Sequence, residues 1–397
     1  MKRFVYTIIT LVLCIMSLAS CNEQLPPAQS MVYEPHTITP YVQAWGNYVF
    51  GFWGMGTQYN RLSGELFSDF CNDPECDGTC FLENHIATLS QIYKGRLYFS
   101  SFEFITHNVY MSYMDLQTGE VKVLLTFDEN RDPMTHRVYI ENDYLYYNSV
   151  QLKLDGNSDN YEDYTKYVCR IPADGGEEET VMQLRDWGET LMMVANNKAI
   201  TFWNGALYMT DMITKEQVKI FDNEENGWVS SLTECSYYDG FLYVLVNPKE
   251  GVKAPDGRPV NMTRLVCVDI ENATWRYLID TPVHNFRVEN DAIYFTPIEI
   301  RQVNDPTIYP PTEPEAFFFD YSATLYACDH DGSNIRAVYT DPTGEMDFDG
   351  YYTVIDNVFY GFLWNFDHEL NTLGDRYFAE IHFDTEEIIP AIEEKNN

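Results

Sequence analysis

An all-β fold, a β-propeller of four-stranded antiparallel blades, follows from three features of the sequence. Tight-turn dipeptides precede short aliphatic-aromatic runs at a spacing near fifty residues, and a second turn signal follows each run. Apolar residues alternate with period two, and no long stripe of helical period appears. Aromatic residues make up 15% of the chain and charged residues 22%, which suits a packed β protein and not a disordered acidic one.

The first hairpin of each unit reads, in order, Gly46-Asn47-Tyr48-Val49-Phe50, Lys94-Gly95-Arg96-Leu97-Tyr98-Phe99 and Asn142-Asp143-Tyr144-Leu145-Tyr146-Tyr147. A weaker copy is Asn197-Lys198-Ala199-Ile200-Thr201-Phe202. Asp239-Gly240-Phe241-Leu242-Tyr243, Asn290-Asp291-Ala292-Ile293-Tyr294-Phe295 and Asp356-Asn357-Val358-Phe359-Tyr360 complete the series. Asp-Gly, Asn-Asp and Asp-Asn supply the positive-φ residues that a two-residue hairpin demands. From Asn47 to Asn357 the turns advance by 48, 48, 55, 42, 51 and 66 residues.

A second hairpin follows, clearest at Asp115-Leu116-Gln117-Thr118-Gly119-Glu120 and Asp211-Met212-Ile213-Thr214-Lys215-Glu216. Related signals are Asp269-Ile270-Glu271-Asn272, Asp329-His330-Asp331-Gly332 and Phe383-Asp384-Thr385-Glu386. Each unit therefore holds four strands, and the expectation is seven blades, with six or eight as the neighbouring counts. Tight turns join strands one to two and three to four, which puts them on one face. Long insertions at 152–166, 247–263, 297–323 and 364–376 all fall between strands two and three, which gathers them on the opposite face.

The repeated turn-strand pattern resembles the DUF5050-type and TolB-like β-propellers of surface lipoproteins in Gram-positive anaerobes. Phe70-Cys71-Asn72-Asp73-Pro74-Glu75-Cys76 is similar to a Cys-x4-Cys stretch carried by many of them. The resemblance spans residues 45–390 and implies architecture and a surface location, with no catalytic residues to carry over.

The N-terminus points to the same location. Lys2 and Arg3 precede an apolar stretch at 4–18, too short to span a bilayer, and Leu18-Ala19-Ser20-Cys21 has the form of a bacterial lipoprotein signal. The expected organisation is a signal peptide at 1–20, a tether at 21–43, a propeller at 44–390 and a disordered acidic tail at 391–397. Cys21 is the lipid attachment residue, which places the chain on the extracytoplasmic side of the cell membrane. Pro26, Pro27, Pro35 and Pro40 suit the tether.

The formal charge is -36, and loss of Lys2 and Arg3 with the signal deepens it to -38. Such a surface excludes nucleic acid and anionic lipid as partners and favours cations, basic proteins or neutral glycans. Within the longest insertion, Tyr309, Phe317, Phe319 and Tyr321 lie near Asp305, Glu313, Glu315 and Asp320; Trp364 stands at the edge of another insertion. These five aromatics are the candidate ligand-face residues, for stacking on sugars or gripping a basic partner. The competing reading is that they pin long loops to the propeller.

Cys71, Cys76 and Cys80 form a candidate disulfide or metal cluster, with His85 as the nearest fourth ligand for zinc. Cys169, Cys235, Cys267 and Cys328 read as small core residues on strands. Asp155-Gly156-Asn157-Ser158-Asp159 starts like a calcium loop, but Asn160 and Lys166 occupy its glycine and glutamate positions. No zinc-protease, nucleophile-elbow or phosphate-loop motif occurs, and no cofactor is implied. The expectation is a non-catalytic binding module for a glycan, peptide or envelope protein. The alternative is a glycan-active lyase or glycosidase with carboxylates around the channel mouth.

Overall fold

A computed structural model describes residues 42–51, 57–67, 85–103, 108–127, 138–153, 164–229, 235–250, 252–253, 259–260, 262–302, 317–344, 346–367 and 372–393. Seven antiparallel sheets form in chain order, each from consecutive strands, so the fold is an all-β seven-bladed propeller. Blade 1 contains Val42–Trp45, Tyr48–Gly51, Thr57–Asn60 and Glu65–Phe67. Innermost strands of blades 2, 3 and 4 are His85–Tyr93, Tyr139–Glu141 and Thr190–Ala195; those of blades 6 and 7 are Val283–Val288 and Met346–Ile355. Blade 5 departs from the pattern. Two short strands, Gly227–Val229 and Cys235–Tyr238, pair side by side along the same neighbour, Phe241–Pro248.

The turn chemistry explains the hairpins. Asn142 and Asp143 have φ of 51° and 62°, Asp239 and Gly240 44° and 89°, Asp356 and Asn357 51° and 64°. Two successive positive φ values define the turn whose twist matches paired strands. In the fourth unit the pair is Asn196 and Asn197, one residue earlier than the sequence pattern suggests. Blade 6 instead uses a wider connection in which the Glu289 N–H donates to Ala292 O at 2.9 Å.

In the second hairpins an aspartate holds the turn. Asp211 Oδ1 accepts from the Ile213 and Thr214 N–H groups at 2.8 and 2.9 Å, and Asp115 Oδ1 accepts from Gln117 and Thr118 at 3.0 Å each. Backbone donation of this kind holds both carboxyls below their ordinary range.

Packing follows from strand alternation. In Tyr144–Leu152, Leu145 and Tyr147 join a cluster shared with blade 2, while Tyr146 joins one shared with blade 4. Likewise Tyr243 and Leu245 face blade 6, and Leu242, Val244 and Val246 face blade 4. Every sheet is thus apolar on both faces, and the core is a ring of clusters between blades. Cys169, Cys235, Cys267 and Cys328 are buried free thiols within these clusters, as the sequence pattern suggested.

The ring closes between blades 7 and 1. Val42, Ala44, Val49 and Tyr59 pack against Ile355, Tyr360, Phe362 and Phe378. The Tyr59 hydroxyl donates to Glu380 Oε1, and the Arg61 guanidinium lies 5.0 Å from the Tyr360 ring centroid. Ile392–Glu393, within the segment expected as a tail, pairs in parallel with Glu65–Phe67 and adds a fifth strand to blade 1. Tyr59→Phe removes the donor from a buried carboxylate, and the expected loss is about 1–3 kcal/mol in a denaturant titration. An unchanged midpoint would show that closure does not use this bond.

Candidate functional site

Strand order confirms the two-face arrangement. Val283 pairs with Pro297, and beyond that level Ile298–Gln302 and Phe317–Tyr321 continue as a two-stranded ribbon, Ile298 opposite Tyr321 and Gln302 opposite Phe317. Blade 5 carries a hairpin of Val252–Lys253 and Pro259–Val260 at the same end. In blade 7 both strands run further than expected, to Asp367 and from Thr372, leaving a four-residue connection. The insertions at 297–323 and 364–376 are therefore partly strand.

Of the candidate aromatics, Phe317, Phe319 and Tyr321 fall on the ribbon strand Phe317–Tyr321, and Trp364 falls on Val358–Asp367 opposite Arg376. Tyr309, Cys71, Cys76, Cys80 and Cys21 lie outside the described residues. Among the described residues, no group of three or more His, Cys, Asp or Glu side chains is placed to hold a metal ion.

Trp364 belongs to a polar cluster that sequence reasoning did not assemble. The inner strand of blade 7 pairs Phe348 with Leu363 and next Tyr352 with Gly361, so Asp349, Gly350 and Tyr351 bulge opposite Phe362 alone. Such a bulge re-aims side chains. A Cβ at Gly361 would lie 2.4 Å from Tyr352 Cβ and 2.8 Å from Tyr351 O, so the bulge requires glycine there.

Asp349 Oδ2 accepts from Trp364 Nε1 at 2.9 Å and from Arg376 Nε at 2.8 Å. The Arg376 guanidinium sits 4.0 Å from the Phe362 ring centroid, 5.2 Å from Tyr351 and 5.7 Å from Trp364. Burial raises the Asp349 carboxyl above its ordinary range, outweighing the stabilising arginine. One carboxylate oxygen thus serves two fixed donors. The result is a fixed arrangement of rings around a paired charge. The signal that could have found it is Asp347-Phe348-Asp349-Gly350-Tyr351, where two carboxylates and a glycine interrupt a strand pattern.

Polar groups along the inner ring bind neighbouring backbone. Gln43 Oε1 accepts from the Ile92 N–H at 2.7 Å, Gln91 Oε1 from Ile140 at 3.1 Å, and Asn148 Oδ1 from Leu191 at 3.2 Å. The Asn285 amide donates to Phe348 O at 2.7 Å. Glu289 Oε1 accepts from Thr353 Oγ1 at 2.8 Å and the Val354 N–H at 3.2 Å, and lies 3.4 Å from Arg287 Nε. Arg287 in turn donates to Val42 O, linking blade 6 to blade 1. Between blades 3 and 4, buried Lys166 donates to Thr190 Oγ1 at 2.9 Å and Trp187 O at 3.3 Å, and burial lowers its pKa to about 8. These groups hold blades together.

His284 is the extra residue of a second bulge, between the pairs Val283–Pro297 and Asn285–Thr296. Burial lowers its pKa from 6.5 to about 4. A base depressed in the folded state leaves the unfolded chain binding more protons between those values. Stability is then full above pH 6.5 and falls as pH drops toward 4, by an amount on the order of 3 kcal/mol. His284→Phe is expected to flatten this part of the Tm-versus-pH curve; a variant curve parallel to wild type would contradict the assignment.

No protein-family model matches the chain, and no curated protein matches it. Among solved structures, a prolyl endopeptidase matches over 89% of this chain and 49% of its own length, with TM-score 0.51 and 10% identity. The acylaminoacyl peptidase of Pyrococcus horikoshii matches over 90% of this chain and 52% of its own, with TM-score 0.51 and 13% identity. Oligogalacturonate lyase from Vibrio parahaemolyticus matches over 87% and 92%, with TM-score 0.46 and 10% identity. The chain spans about half the length of the two peptidases. At these identities the likeness shows the propeller fold alone, and the resemblance to surface-lipoprotein propellers rests at that level too.

Proposed function

We propose that this chain is a lipid-anchored, extracytoplasmic propeller that binds a glycan, peptide or envelope protein through its insertion face, without catalysis. The observation that carries this reading is the asymmetry between faces. One face ends in short turns locked by their own aspartates. The other carries the blade 6 ribbon, the blade 5 hairpin and the Asp349–Trp364–Arg376 shelf. The glycan-active alternative needs carboxylates available at the channel mouth. Asp349, on the inner strand of blade 7, instead holds Trp364 and Arg376, which favours the binding reading.

The test uses glycan arrays and cell-wall fractions with the protein and with a variant lacking residues 299–320, a deletion that removes most of the ribbon and leaves Pro297 level with Ser322. Loss of binding in the deletion variant supports the insertion face. Undiminished binding sinks this choice of surface, and turnover of a bound glycan would establish the enzyme instead.

A further inference from the structure

Blade 4 is ringed on the insertion face by tryptophans that its packing does not require. Its second and third strands, Lys198–Trp203 and Ala206–Asp211, are joined by Asn204-Gly205 alone, the shortest such connection in the propeller. Crossings between blades run on this same face, since each blade has four antiparallel strands. Trp203 stands at one side of the turn. Trp187 lies in the crossing from blade 3, and Trp228 follows the crossing to blade 5. These are three of the chain's seven tryptophans, and none of them belongs to an apolar core cluster.

The crossing that bears Trp187 is fixed by its own polar groups. Asp186 Oδ1 accepts from the Gly188 and Glu189 N–H groups at 2.8 and 3.2 Å, and Oδ2 accepts from Trp203 Nε1 at 2.9 Å. Glu189 accepts from the Arg185 N–H and from Thr201 Oγ1, each at 2.7 Å. Lys166 holds the Trp187 carbonyl, and the Trp187 ring meets Tyr164 edge-on with centroids 5.8 Å apart. A Cβ at Gly188 would come within 4.0 Å of Trp203 Cδ1, so this crossing lies directly beside the Trp203 ring.

Trp228 is displayed at the expense of backbone freedom. It sits on Gly227–Val229, the additional strand by which blade 5 departs from the others, and is 49% exposed while both neighbours are buried. A Cβ at Gly205 would lie 2.8 Å from Trp228 Cβ, and one at Gly227 would lie 2.0 Å from Asn247 O. Both glycines have positive φ, 80° and 108°. Two positions thus admit only glycine, and the result is a tryptophan set against the blade 4 turn and open to solvent.

We propose that Trp187, Trp203 and Trp228, with Asn204, form a binding site for a neutral glycan. Sugar rings stack on the indoles, and hydroxyls bond to the Asn204 amide. This rests on the insertion face being the ligand-bearing face and names the ligand class for it. Flat aromatic surface held in place beforehand suits the apolar face of a pyranose and loses little entropy on binding. The Asn204 carbonyl is taken by Asn223 Nδ2 at 2.7 Å, but its exposed side chain has no hydrogen-bond partner among the described residues. An uncharged amide offers hydroxyls both a donor and an acceptor. The charged groups nearest the indoles are engaged within the protein: Asp186 and Glu189 as above, and Arg185 over the Trp203 and Tyr208 rings at 4.9 and 3.8 Å. A formal charge of -36 repels an acidic glycan. A peptide adding as a strand is disfavoured because the Val229 N–H already donates to Gly205 O and the Lys249 N–H to Asn226 O, each at 3.1 Å.

The test titrates neutral gluco-, manno-, xylo- and N-acetylated chito-oligosaccharides, with acidic uronate oligosaccharides for comparison, against the full-length protein and two variants. Trp228→Ala removes an exposed ring and keeps the Cβ beside Gly205. Asn204→Gly removes the amide and tolerates the φ of 49° at that position. Each is expected to weaken binding of a neutral oligosaccharide about tenfold or more, with a melting temperature near that of wild type. Binding is also expected to shift the tryptophan fluorescence of the wild type, and to shift it less in Trp228→Ala. Binding lost on deletion of residues 299–320 but unchanged in both variants overturns this site and leaves the insertion-face reading standing. Binding lost in both variants but kept in the deletion supports the site and places the ligand at blade 4 without the ribbon. Preference for the acidic oligosaccharides, or binding of peptides and proteins with every neutral oligosaccharide inert, overturns the proposal.

Discussion

Replacing Arg287 by methionine is expected to cost about 3–5 kcal/mol of stability at neutral pH, the range for stranding one member of a buried ion pair. Arg287 and Glu289 are 2% and 6% exposed, with 3.4 Å between Nε and Oε1. Burial raises the Glu289 carboxyl, and the arginine is the largest influence opposing that rise. Methionine fills the stem but leaves the carboxylate without its countercharge, with only the Thr353 and Val354 donors, and removes the donor to Val42 O. The sign with pH is determined. A carboxyl raised in the folded state destabilises as pH climbs through its unfolded value, so the defect should shrink in acid, where Glu289 takes up a proton. Adding Glu289→Gln retains an acceptor for Thr353 and Val354 while discharging the site. It should recover a large part of the loss. Denaturant titrations of the single and double variants at neutral and acidic pH check both statements, and an equal defect in the double variant would contradict them.

Asp349→Ala is the second large effect, again about 3 kcal/mol or more, because it leaves the Arg376 guanidinium buried without its carboxylate and Trp364 Nε1 without an acceptor. Asp349→Asn keeps an oxygen for both donors and is expected to lose less than half as much. Ligand binding discriminates further. If the shelf contacts ligand, Trp364→Phe, which keeps an aromatic ring but not the N–H, should weaken binding several-fold in the protein that remains folded, alongside a stability loss of about 1–3 kcal/mol from the donor taken from Asp349. Equal affinity in wild type and Trp364→Phe would assign the cluster to blade support alone.

The propeller was legible because its determinants are local. Turn pairs such as Asn142-Asp143 and Asp356-Asn357 need positive φ, and period-two runs such as Tyr144-Leu145-Tyr146-Tyr147 need two apolar neighbours. Aspartate-held second turns were visible for the same reason. What escaped depends on register and on distance along the chain. Arg287 and Val42 are 245 residues apart, and Tyr59 and Glu380 are 321 apart, so nothing in either local pattern marks the contact. Asp349 and Arg376 meet only because a three-residue bulge shifts the register of blade 7. Ile392–Glu393 looked like an acidic end because a two-residue strand carries no pattern of its own. Phe317, Phe319 and Tyr321 of the longest insertion fall on a ribbon strand and not on a loop, because that pairing continues beyond the blade's own sheet.

The central claim is that ligand is held on the insertion face and nowhere on the turn face. Hydroxyl-radical footprinting of the protein with and without a cell-envelope fraction reads this directly, residue by residue. The account predicts protection at Trp364 and Tyr351 and along the ribbon at Phe317–Tyr321, with Ile213 and Ile335 reacting as in the free protein. Protection at Ile213 and Ile335 with an unchanged insertion face would contradict it.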